Sequence, residues 1–157
     1  YSYGYIGQFQ MLFCWLMFFY ASPQIWTLYS SGKSPNDYTE EDHFSDRQGM
    51  TVYYWTLVLG QIAAAVSTTT KTQSVFGIGG QAYGFPNNTL NLMFLGELLL
   101  GLGAIYLAPM QMLFDTGWLP LGSAFAPVGA FVGICFIDEL RKMAMRMLEE
   151  RQGAAEE

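Results

Sequence analysis

Charge is what this sequence lacks. Lys and Arg number seven and Asp and Glu thirteen, so 13% of the 157 residues are charged, about half the roughly 25% of an ordinary soluble domain. Residues 1–32 hold no charged side chain, and neither do 48–70, 72–96, 98–114 or 116–137. Seven charges fall in 33–47 and ten in 138–157, which leaves Lys71, Glu97 and Asp115 for everything else. A net charge of −6 with so few basic residues excludes a nucleic-acid surface. Apolar runs of this length exclude a water-soluble globule and a disordered tail. The single histidine, His43, has no neighbour at ligand spacing, so no metal centre and no Ser-His-Asp or Cys-His relay can be built on it. Cys14 and Cys135 lie inside apolar runs and read as buried thiols rather than a disulfide framework. Tyr1 is not an initiator methionine, and residues 1–32 lack the basic start of a signal peptide, so the chain is expected to be part of a longer polypeptide.

What remains is an all-α, polytopic membrane protein. About 20 residues at 1.5 Å each cross a roughly 30 Å hydrocarbon layer. Four segments qualify, at about 6–28, 49–70, 90–108 and 121–140. Alternation of period two is absent, and an open sheet cannot satisfy its backbone in lipid. Pro23 should kink or end the first span, Pro109 close the third, Pro120 open the fourth and Pro127 bend it. Four spans put both termini on one side with the 71–89 loop. That side holds Lys71, Arg141, Lys142, Arg146 and Arg151, against Lys33 and Arg47 on the other, so both termini are expected in the cytoplasm. The sequon at Asn87 is then cytoplasmic and unused. The acidic 29–48 loop faces outward, as a cation funnel, a docking surface for a partner, or simply a solvated connector. The cytoplasmic tail is 141–157.

Two polar groups within the spans stand out. Glu97 sits mid-way along the third, where a carboxylate costs about 2.5–3.5 kcal/mol on insertion scales. Its helical face carries Gly101, Ala104 and Ala108, small residues that admit a neighbouring helix, while Leu95, Leu98, Leu99 and Leu102 suit lipid. Glu97 should therefore point into the bundle, as a proton or cation site or as a neutral hydrogen-bonding tie. Gln61 stands in the second span with Tyr54 and Thr68 on its face. Its amide oxygen suits either a monovalent cation or a bond to another helix. The fourth span shows a small-residue seam of Gly122, Ala126, Ala130 and Gly133, with Gly129 four residues before Gly133. At its end Asp138, Glu139, Arg141 and Lys142 mix both signs within one turn, which suits anchoring at the membrane surface or gripping a cytoplasmic domain or a loop from other parts of a longer polypeptide. Trp26, Trp55 and Trp118 read as interfacial aromatics and Trp15 as a mid-span ring. The glycine-rich GIGGQAYG at 77–84 follows a membrane helix and lacks the Lys-Ser/Thr of a phosphate loop, so it reads as a connector.

Tyr3-Gly4-x-Ile6-Gly7 resembles the opening of the seventh membrane helix of P-type cation-transporting ATPases, in particular the sodium-pump and proton/potassium-pump branch. Gln61-x-Ala63, with Thr72-Gln73-Ser74-Val75-Phe76 after it, resembles the end of their eighth helix and the following loop. Glu97 is similar to the first acidic residue of their ninth, and Asp138-Glu139-Leu140-Arg141-Lys142 to the Asp-Glu-Val-Arg-Lys closing the tenth. The ordered set covers nearly the whole chain. The resemblance implies the C-terminal four-helix part of an ATP-driven cation pump, with Glu97 and Gln61 toward the ion pathway. It also implies ATP and Mg bound by upstream domains, a possible accessory subunit at the 29–48 loop, and the plasma membrane as location. Two departures stand out: Ala64 replaces the Asp of sodium pumps, and Leu98 their second acidic residue. A rival of another class is a non-catalytic four-helix subunit scaffolding a larger membrane complex. A small channel or carrier working without ATP is a third.

Overall fold

The computed structural model describes residues 2–21, 23–77 and 88–153. The sequon at Asn87, nearly all of the glycine-rich stretch and the last four residues of the tail lie outside them. Among the described residues the chain is helical with no strand: α1 (Gly7–Ala21), α2 (Pro23–Ser30), α3 (Glu40–Thr68), α4 (Asn88–Tyr106), α5 (Ala108–Phe114) and α6 (Leu121–Gly153). A π-helical turn at Ser2–Ile6 leads into α1, and a 3-10 turn at Pro35–Asp37 precedes α3. Helices α3, α4 and α6 are each long and apolar enough to cross a membrane. Gly4–Ala21 and Gln24–Ser30, bent by 103° at the break before Pro23, together make a fourth candidate span.

Most of the expected acidic loop is helix. Thr39 and Asp42 close a capping box: the Thr39 hydroxyl accepts from the Asp42 N–H at 3.3 Å, and the Asp42 carboxylate accepts from the Thr39 N–H at 3.0 Å. Glu40, Glu41 and Asp42 fill the first turn, where the positive end of the helix dipole favours anions. These interactions start α3 nine residues before the apolar run at 49, and its 29 residues reach about 43 Å.

Helix α3 is the centre of the bundle. Its most apolar stretch is 61% buried inside the protein, against 22% for α4 and 28% for α6. It packs on α1, α4 and α6, and α2 lies over its first turns. Glycines set the approach. A methyl built on Gly49 would meet Phe18 and Ile25, and one on Gly101 would lie 2.5 Å from the Trp55 ring. On Gly133 it would strike Phe13. Gly122 and Gly129 face open space, so the α6 seam runs through Ala130 and Gly133 without them. Trp55 belongs to the core rather than to an interface: its ring is buried, and its indole N–H donates to the Ala124 carbonyl at 2.9 Å. Trp26 and Trp118 are exposed, as is Trp15, which stacks on Phe19.

The third span stops earlier than its apolar content suggests. Helix α4 ends at Tyr106, and Pro109, expected to close that span, stands near the start of α5 instead. A proline at 109 offers no N–H to the carbonyl four residues back, Ile105. The Gln111 amide donates to that carbonyl at 2.5 Å, and the Thr116 hydroxyl donates to the Ala104 carbonyl. Two backbone acceptors freed by the break are thus satisfied by side chains. Asp115 ends α5 in the left-handed region at φ 49°. Ala108, expected beside Gly101 and Ala104, falls in α5 and is exposed, whereas those two are buried. At the other end α6 runs without a break to Gly153, so the expected tail is helical over most of its length.

Candidate functional site

The pairing of α4 with α3 fixes the depth of Glu97. Gly101 lies against Trp55 and Val58. In an antiparallel pair, moving one turn back from Gly101 to Glu97, about 6 Å, moves one turn forward on α3, from Val58 to Ile62. Glu97 therefore stands at the level of Gln61. It is partly exposed and has no hydrogen bond or ion pair among the described residues, while Phe94 and Leu98 beside it pack on the core. Leu98, assigned to the lipid face by helical spacing, is thus partly buried. Gln61 itself is exposed, on a face of α3 that the rest of the described chain leaves uncovered.

A third polar side chain shares this level. Gln10 of α1 donates to the Leu57 carbonyl at 3.2 Å, and it has room because residue 60 is glycine: a methyl there would lie 2.8 Å from Gln10 Cγ. Gln10 thus meets α3 one turn before Gln61. The signal for it was a polar residue inside a charge-free run, the same signal that marked Gln61.

The uncovered face of α3 continues away from Gln61 as a cleft of about 440 Å³. Met50, Tyr53, Tyr54 and Leu57 line its length, Phe114 its far side, and Asp46 and Arg47 its end. Arg47 pairs with Asp115 at 3.0 Å across the mouth. Thr51 ties the same region together, its hydroxyl donating to the Arg47 carbonyl at 2.7 Å and accepting from the Gly117 N–H at 2.8 Å. The Tyr29 hydroxyl donates to Asp46 at 2.9 Å. Asp42 is held below the usual carboxylate value by the Thr39 N–H, with the Thr39 hydroxyl and nearby Lys33 adding to it.

At the opposite end of α3 the charged cluster on α6 departs from a surface anchor. Lys142, Asp138 and Glu139 are 0%, 1% and 4% exposed. Lys142 Nζ lies 2.8 Å from Asp138 Oδ2, and Arg141 Nε 3.1 Å from Asp138 Oδ1. Glu139 Oε1 accepts the Val75 N–H at 2.8 Å, and Arg141 donates to the Lys71 carbonyl at 3.1 Å. The cluster turns inward because the loop after α3 folds over it.

The profile of the family described as cation transporting ATPase, C-terminus, matches residues 2–144. The chain belongs to that family. No curated protein matches it. As the C-terminal region of a cation-transporting ATPase, it is an integral membrane segment of a cation-transport protein. All four α6 residues of the charged cluster, and all three members of the polar level, fall within the matched stretch of this cation-ATPase C-terminus.

Proposed function

We propose that this cation-ATPase C-terminus braces the transport helices of a pump in the sodium-pump and proton/potassium-pump branch, and adds Glu97 and Gln61 to its ion pathway. The observation that carries the reading is the shared level of Gln10, Gln61 and Glu97. Glu97 supplies charge compensation or carries a proton, and Gln61 supplies an amide oxygen. The uncovered α3 face from Tyr53 to Gln61 receives the remaining helices of the same pump, whose upstream domains would hold ATP and Mg. Both termini then lie in the cytoplasm, the Arg47–Asp115 end faces outward, and an accessory subunit meets the 29–48 segment. The plasma membrane is the location this reading favours.

The test is Glu97→Gln in the full-length pump. Apparent cation affinity or its pH dependence should shift, with the amount of assembled protein unchanged. Transport indistinguishable from wild type at every pH and cation concentration would remove Glu97 from the pathway.

A further inference from the structure

The buried cluster on α6 grips both ends of one short segment. Arg141 holds the carbonyl of Lys71, three residues past the end of α3, and Glu139 holds the N–H of Val75. Ser74 and Val75 are buried at 2% and 3%. Behind them Asp138 is shared between buried Lys142 and partly exposed Arg141.

Such a group adds little net stability, because the cost of taking Asp138, Glu139 and Lys142 out of water offsets their attraction. What it supplies is direction. A backbone donor and a backbone acceptor four residues apart meet a carboxylate and a guanidinium two residues apart on a rigid helix, and only one axial register of the loop satisfies both. Helix α3 is pinned to α6 a second time, by Trp55 on the Ala124 carbonyl. Gln61 lies between these two fixed points.

We propose that Glu139 and Arg141, backed by Asp138 and Lys142, are positioning residues that latch the 71–75 segment to α6, and so set the depth at which α3 presents Gln61. The role in transport rests on the function proposed above; the latch itself does not.

The experiment uses the full-length pump carrying Glu139→Leu, Glu139→Gln or Arg141→Met. It reads amide exchange of a peptide covering 72–76, together with apparent cation affinity and turnover. Glu139→Leu should speed exchange at Val75 by about tenfold or more, as loss of a hydrogen bond to a charged group would. It should also shift cation affinity several-fold more than turnover. Glu139→Gln keeps an acceptor oxygen and should restore protection and affinity in part. Unchanged exchange at Val75 in Glu139→Leu overturns the latch. Fast exchange with unaltered cation affinity overturns the positioning role. If Glu97→Gln is silent while exchange still rises, the pathway reading fails and the latch stands. Should Glu139→Leu not assemble, Arg141→Met removes the Lys71 bond at a partly exposed site and is judged by the same two readouts.

Discussion

Gly101 lies directly beneath the Trp55 ring, close enough that a methyl on it would sit 2.5 Å from Cζ3. The ring cannot easily retreat, because its indole N–H is engaged by the Ala124 carbonyl on the other side. This contact decides how closely α4 approaches α3, and hence the depth of Glu97.

Gly101→Ala should therefore destabilise the assembled protein by about 1–3 kcal/mol, the usual cost of overpacking a filled contact. Gly129→Ala, in the same sequence class, should be neutral or stabilising by up to about 1 kcal/mol, since the added methyl meets nothing and helix propensity improves. Thermal denaturation of the two variants side by side checks this. Equal losses would mean that Gly129 is covered by a helix outside this chain.

The break after Tyr106 is held by two side chains, and removing either leaves a carbonyl unpaired in a poorly hydrated setting. Thr116→Val frees the Ala104 carbonyl and Gln111→Leu the Ile105 carbonyl. Each should cost about 1–3 kcal/mol, and the double variant should cost less than the sum if α4 then extends or shifts to re-pair both groups. Denaturation midpoints of the singles and the double test the coupling. Strict additivity with no loss in either single would show that both carbonyls find other donors.

The apolar helices were legible because the absence of charge is unambiguous over twenty residues. Helix ends were less so, since they depend on single side chains. Thr39-Glu40-Glu41-Asp42 is a readable capping box, and it starts α3 inside what composition alone marks as a loop. The early end of α4 follows from Gln111 and Thr116, which lie well along the chain from the carbonyls they satisfy. Glu97 and Gln61 stood out as polar residues in apolar runs, but spacing on one helix cannot say what the facing helix offers. It marked Gly129 as a seam residue although nothing lies opposite, and gave no weight to Gln10, whose room depends on Gly60 of another helix. Charge composition likewise placed Asp138, Glu139 and Lys142 at the surface, because the Val75 N–H that draws Glu139 inward comes from a loop sixty-four residues earlier.

Asp42, outside the spans, gives the protein an acid-side pH signature. It is depressed below its ordinary value of 3.8 by the Thr39 N–H, so its stabilising contribution is present above that value. It is lost as pH falls through the lower value of the folded state. Asp42→Asn should therefore flatten the acid limb of thermal stability and leave the alkaline limb as it is. Denaturation midpoints of the two proteins across acid pH check this, and an acid limb identical to wild type would mean that the Thr39–Asp42 capping box does not hold the carboxylate in solution.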